Sequence, residues 1–67
     1  MNKSILVDKI IQYEAGELKA DQTIKLFAYL IKTGQAWTLQ GHYGRTAMAL
    51  IEQGFIDRKG QILKEIE

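Results

Sequence analysis

The sequence predicts an all-α protein: a compact three-helix domain with a short C-terminal hairpin or a fourth helix. Apolar residues recur at helical spacing over about residues 4–15, 20–33 and 42–53. A glycine follows each segment, at Gly16, Gly34 and Gly54, and the chain has no proline. Glycine readily adopts the left-handed conformation that ends many helices, so these positions are expected to separate three helices.

Length and composition restrict the chain to one small domain over residues 1–67. There is no cysteine, so disulfides and thiolate metal sites are excluded, and a reducing cytosol is favoured. No apolar run approaches the roughly 18 residues of a membrane span, so we expect no membrane contact. The net charge of +1 does not by itself indicate a nucleic-acid partner.

The first helix is expected over about residues 4–15, where either Asn2 or Ser4 can cap the free backbone amides at its start. Its apolar residues on or beside one helical line are Leu6, Val7, Ile10, Ile11 and Tyr13. We therefore expect one side of this helix to face the core.

The second helix is expected over about residues 20–33, with Asp21 as a favourable anion near its start. Its apolar residues are Ile24, Leu26, Phe27, Ala28, Leu30 and Ile31. Because this set covers more than half of the circumference, we expect the second helix to be the central core element.

A short connection at residues 35–40 is compatible with a single helical turn. Trp37 and Leu39 are expected to fold back over the second helix, because burying a large side chain is worth about 1.5–3 kcal/mol. The third helix then runs over about residues 42–53. Its expected buried line consists of Tyr43, Ala47, Leu50 and Ile51.

The C-terminal segment allows two interpretations. Asp57 and Gly60 suit the first and fourth positions of a type I turn, which favours a hairpin with Ile56 facing Ile62. The alternative is a short fourth helix from Gly60 to Ile66. We favour the hairpin, which would have to lie on the helices to be stable.

The candidate binding surface lies at the start of the third helix, where the only Trp, the only His, an Arg and two glycines stand close together. A helix start attracts anions, glycines permit close backbone approach, and Arg45 supplies a forked donor. The alternative is that Gly41 and Gly44 serve helix packing and that the aromatic residues belong to the core. The candidate partner-binding residues are Trp37, Gln40, His42, Tyr43, Arg45 and Thr46.

A second candidate surface is the polar stripe of the second helix. Lys25, Tyr29 and Lys32, together with Arg45, could hold a nucleic-acid backbone. The connection between helices two and three would also fit a helix-turn-helix, in which the third helix enters the major groove. The nearly neutral charge argues against this alternative, and the plainer interpretation is the solvated side of an amphipathic helix.

No pattern of residues indicates catalysis. The lone His42 has no cysteine partner and no evident acid beside it. Glu14 and Glu17 stand on either side of a helix end, where we expect both carboxylates to be solvated. We therefore expect neither an enzyme nor a cofactor or metal site. A homo-oligomer is a further alternative, since Gly44, Ala47 and Ala49 would permit close contact between helices.

The segment from Trp37 to Ala47 reads Trp-x-Leu-Gln-Gly-His-Tyr-Gly-Arg-Thr-Ala, and it resembles a family of small, uncharacterised phage-encoded proteins. The resemblance extends over about residues 10–56. The resemblance implies that the protein is encoded by a phage and is located in the cytoplasm of the host cell. It does not imply a mechanism. Because small phage proteins without catalytic residues often occlude a host protein, we expect a non-catalytic accessory protein that binds and inhibits a host protein.

Overall fold

The computed structural model describes residues 2–64, which form three α-helices. These are α1 (Lys3–Glu14), α2 (Ala20–Thr33) and α3 (Gly41–Glu52), and a single 3₁₀ turn (Gln35–Trp37) joins α2 to α3. The predicted all-α class is confirmed, as is the single turn in the connection. Each helix boundary lies within one residue of its expected position, because periodicity and helix-ending glycines are local signals.

The helix ends show why the boundaries fall where they do. The Oδ1 atom of Asn2 accepts a hydrogen bond of 2.9 Å from the backbone N–H of Ile5, so Asn2 rather than Ser4 caps α1. Gly34 ends α2 with a φ of +82°, a left-handed conformation that a residue with a Cβ adopts only at a cost.

α2 is the central element of the core, as its apolar pattern predicted. It contacts α1, α3 and the 3₁₀ turn. All six of its apolar residues named above are buried, and Phe27 and Leu30 are completely inaccessible to solvent. The other core residues are Leu6, Ala36, Tyr43, Ala47 and Ile56.

α1 packs against the rest of the domain along one side only. Leu6 is buried, and Ile10 and Tyr13 are half-buried against the core. Val7 and Ile11, which lie beside this line in the sequence pattern, are instead exposed. The reason is tertiary: a helix can be covered only where a neighbour lies, and α1 meets α2 on a single face.

The C-terminal segment forms the expected hairpin. Ile56 and Ile62 make an antiparallel bridge, and the Oδ1 atom of Asp57 accepts hydrogen bonds from the backbone N–H groups of Lys59 and Gln61, each at 2.9 Å. Ile56 is fully buried and fixes the hairpin to the helices. The alternative fourth helix does not form over residues 60–64, and its remaining part lies outside the described residues.

Candidate functional site

The start of α3 is fixed from inside by a cluster of aromatic rings around Tyr43. The ring centroid of Tyr43 lies 5.6 Å from that of Tyr13, 6.0 Å from that of Phe27 and 4.2 Å from that of His42. Tyr13 also meets Phe27 edge-on at 5.3 Å. Such offset and tilted ring pairs stabilise a core beyond their burial, so α1, α2 and α3 are joined here by direct ring contacts.

The hydroxyl group of Tyr43 is the polar end of this cluster. It donates a hydrogen bond of 2.7 Å to Oε2 of Glu14, 29 positions away at the end of α1. Glu14 is therefore more than the solvated charge that the sequence suggested. Burial raises the pKa of the Tyr43 phenol far above its usual range, and the hydrogen bond to Glu14 and the charge of that carboxylate raise it further.

This raised pKa predicts a loss of stability at high pH. Above about pH 10 an unfolded tyrosine releases its proton, whereas folded Tyr43 retains it. The unfolded chain then binds fewer protons than the folded one, so the free energy of unfolding must fall as the pH rises further. Urea unfolding at a series of pH values between about 8 and 11 should show this decline. A Tyr43→Phe variant should show a shallower decline, and equal slopes would contradict the assignment.

The outer side of the same helix start carries the exposed candidate residues. Trp37 is 48% exposed, so the burial that was expected for its indole is only partial. One edge of its indole lies against α3, since a methyl group added at Gly44 would be 3.8 Å from Trp37 Cε3. Leu39 does pack against the core, as expected. The short 3₁₀ turn explains the difference, because it directs Trp37 outward while Ala36 is buried.

Arg45 lies exposed on the same helix start, one turn after Gly41. Its guanidinium group bends back over the first turn, and a methyl group added at Gly41 would be 3.1 Å from Arg45 Nη1. We call this region the Trp37–Arg45 surface, consisting of Trp37, Gln40, Gly41, Gly44 and Arg45. Gln40 makes no side-chain cap, and the first turn of α3 has no acidic residue. The guanidinium group of Arg45 and the free backbone amides at the helix start therefore both give this surface a positive potential.

Gly44 is not required by packing. A methyl group there would lie 3.6 Å from the carbonyl oxygen of Ala36, which is an ordinary contact distance. Gly44→Ala is therefore expected to raise the free energy of unfolding by about 0.5–1 kcal/mol, the usual gain at a helix-interior glycine. Ala49→Gly in the same helix should lower the free energy of unfolding. Urea unfolding of the two variants measures both changes. A loss of stability in Gly44→Ala would instead show that close packing demands the glycine.

The remaining predicted partner-binding residues are less accessible. Tyr43 is only 2% exposed, so its ring belongs to the core and is not available to a partner. His42 is half-buried and lies parallel to the ring of Tyr13 at 6.4 Å, and Thr46 is also half-buried. These two residues can contribute to a contact only at the edge of the Trp37–Arg45 surface.

The residues of the second candidate surface are only partly brought together. Lys25 is exposed and lines an open groove of about 240 Å³ with Lys9, Gln22 and Leu26. Tyr29 is half-buried against the core. Lys32 is exposed, but its backbone lies under the hairpin turn. The stripe is thus divided between the groove at Lys25 and the hairpin turn at Lys32. Lys9 is a further basic residue at the groove, and the sequence analysis did not identify it.

Within residues 2–64 we find no group of three or more His, Cys, Asp or Glu side chains placed to hold a metal ion. None of the helices in that range is both long and apolar enough to cross a membrane.

The fold and the site together define a small all-α domain that presents an exposed tryptophan and arginine beside a glycine-lined helix start. The chain belongs to the family described as a domain of unknown function (DUF7417), whose profile matches residues 2–67. No curated protein and no solved structure gives a significant match. The family membership agrees with the expectation of an uncharacterised family.

Proposed function

We propose that this protein is a small phage-type accessory protein that acts in the host-cell cytoplasm by binding a host protein without catalysis. The contact is the Trp37–Arg45 surface, with His42 and Thr46 at its edge. The proposed consequence is inhibition, because a bound domain covers part of the host protein's surface.

The observation that carries this proposal is the joint exposure of Trp37 and Arg45 at the start of α3, where Trp37 lies against Gly44 and Arg45 lies over Gly41. Tryptophan and arginine dominate the binding energy of protein interfaces more than other residues do. Trp37 is 48% exposed although the indole gains free energy when it is removed from water. A partner that covers Trp37 would recover this free energy, and an acidic group on the partner would pair with Arg45.

The geometry also favours binding with a small loss of conformational freedom. Trp37 lies on a 3₁₀ turn whose neighbour Ala36 is buried, and one edge of the indole lies against α3 at Gly44. An anchor that is already held in place loses little entropy when a partner binds.

The proposal predicts selective loss of a partner when Arg45 changes charge. Tagged protein should recover a stoichiometric protein from a nuclease-treated lysate of the bacterial host, and Arg45→Glu should reduce the recovery at least about tenfold, as expected for a central arginine. Arg58→Glu is the matched control, because Arg58 is also exposed but lies in the hairpin turn. If nothing reproducible is recovered, or if both variants recover it equally, the proposal is wrong.

The lone tryptophan provides a second measurement on the same contact. Trp37 is the only tryptophan in the chain, so its fluorescence reports on this surface alone. Addition of the recovered partner should shift the emission to shorter wavelength, because the indole leaves water. An unchanged spectrum in a complex that forms would place the contact elsewhere on the domain.

A nucleic-acid-binding module is the alternative function, and the groove beside Lys25 is the observation that favours it. Lys9 and Lys25 line this groove with the side chain of Gln22, so two cations lie near one another. Phosphate contacts of this kind weaken steeply with salt. In a parallel pull-down from a lysate without nuclease treatment, nucleic acid should then be recovered by the wild type and by Arg45→Glu. Its loss on adding salt and in Lys25→Glu would favour this function over the first.

A further inference from the structure

α1 has a second apolar side that the domain does not cover. Val7 is 49% exposed and Ile11 is 58% exposed. They are four residues apart, so they lie next to each other on the helix surface. This side is about a third of a turn away from the buried line of Leu6 and Ile10.

The spacing of the residues on this side is that of a helix–helix seam. Ser4, Val7, Ile11 and Glu14 are separated by three, four and three positions, which is the a/d spacing of a heptad pattern. Lys3 lies beside Ser4 at one end of the seam, and Glu14 lies at the other end. The seam thus has an apolar centre, a basic end and an acidic end.

We propose that the occupant of this seam is a second copy of the same chain, with the two α1 helices antiparallel about a twofold axis. In this arrangement Val7 of each copy packs on Ile11 of the other, and Ser4 lies opposite Glu14. Lys3 of each copy then comes next to Glu14 of the other, whose exposed side chain keeps Oε1 for this pair while Oε2 accepts the hydrogen bond from Tyr43 of its own chain. The ends of the seam are therefore complementary in charge. A twofold contact uses the same patch on both copies, and only a patch that complements itself permits this.

The other electrostatic and steric features of α1 are compatible with this arrangement. A parallel pairing would place Lys3 beside Lys3 and Glu14 beside Glu14, which disfavours it. Asp8 lies at the solvent-facing edge of the antiparallel pair, where repulsion between the two copies is screened by salt. Val7 and Ile11 point about 100° away from Leu6 and Ile10 around the helix axis, so the seam is not the side by which α1 packs on its own domain.

The expected dimer is weak. Two aliphatic side chains per copy cover much less than the about 800 Å² per partner of a stable interface. We therefore expect a monomer–dimer equilibrium that favours the dimer only at high protein concentration. The Trp37–Arg45 surface contains none of the seam residues, so this inference is independent of the proposed function.

Introduced cysteines test the direction of the pairing, because the chain has no cysteine of its own. Val7→Cys and Ile11→Cys proteins are mixed in equal amounts and oxidised. The yield of the disulfide-linked heterodimer should then exceed the yield of each disulfide-linked homodimer several-fold. If disulfides form mainly between two copies of the same variant, the pairing is parallel and the proposal is overturned.

Sedimentation velocity tests whether the seam is used at all. The mean mass should rise with concentration for the wild type, and Ile11→Glu should remain a monomer over the same range. Ile5→Glu is the matched control, since Ile5 is 45% exposed on α1 but lies outside the seam, and it should still dimerise. A wild type that is monomeric up to about 1 mM, or an Ile11→Glu variant that still dimerises, would overturn the proposal.

Discussion

Replacing Gly60 with alanine is expected to destabilise the domain by about 2–5 kcal/mol, the largest effect of any glycine substitution in the described chain. The added methyl group would lie 2.6 Å from the carbonyl oxygen of Ala28 and 2.8 Å from both the backbone N and the Cβ of Lys32. Backbone atoms of α2 cannot move aside, so the hairpin would have to lift, at about 1–3 kcal/mol for overpacking. The φ of +88° adds about 1–2 kcal/mol for a residue with a Cβ.

Gly16→Ala is the matched control for this prediction. Gly16 also has a positive φ, +74°, but a methyl group there would meet nothing within 4 Å. It should therefore show only the conformational cost, about 1–2 kcal/mol. Since 1 kcal/mol corresponds to about 4–8 °C in the Tm of a domain this small, thermal unfolding can separate the two variants. Equal losses would show that the hairpin turn does not press against α2 as described.

Tyr43→Ala is expected to remove about 3–5 kcal/mol, which is most of the stability of a domain of this size. The ring is 2% exposed and contacts Tyr13 and Phe27, so its loss leaves a cavity where all three helices meet. Urea unfolding should show a large decrease in the midpoint or a chain that is unfolded without denaturant. A loss below about 1 kcal/mol would contradict the central position of this ring.

Tyr43→Phe separates the ring from its hydroxyl group. The variant keeps the ring contacts and loses only the 2.7 Å hydrogen bond to Glu14. We expect a loss of about 1 kcal/mol, the usual net value of one hydrogen bond. Glu14→Gln retains an acceptor without the charge and should cost less than Tyr43→Phe. If Tyr43→Phe were as damaging as Tyr43→Ala, the packing explanation would be wrong.

These stability measurements also decide how the binding experiments are interpreted. The aromatic cluster lies under the start of α3, so a substitution in the cluster would displace Arg45 together with its helix. Variants of Arg45 itself change an exposed side chain and are expected to leave the fold intact. Loss of a partner in Arg45→Glu with an unchanged unfolding midpoint would therefore assign the contact to the guanidinium group.

The course of the helices could be predicted from the chain because its signals are local. Apolar spacing located α2 at Ala20–Thr33 without error, and Gly16, Gly34 and Gly54 marked the helix ends. The Asp57 to Gly60 turn was likewise predicted from residues within four positions of one another. Each of these features depends on backbone geometry that neighbouring residues determine among themselves.

The candidate site was predicted less completely, because its residues interact over long sequence distances. The sequence identified the stretch that contains Trp37 and Arg45, but it predicted a buried indole and left open whether Tyr43 belongs to the buried line of the third helix or to the contact surface. The hydrogen bond between Glu14 and Tyr43 joins positions 29 residues apart and has no local signal. The close approach of Gly60 to α2 likewise depends on where the hairpin lies on the helices.

The amino-acid sequence alone determined that this protein has three helices and located their ends to within one residue, and it favoured a hairpin over a fourth helix after them. The tertiary structure decided between core and surface for the aromatic side chains at the start of α3: Tyr43 is buried, and Trp37 is about half exposed. Helix formation depends on contacts within a few residues, whereas burial depends on which neighbour lies against a given face. A periodic pattern shows that a helix has an apolar side, and only the packed chain shows whether anything covers it.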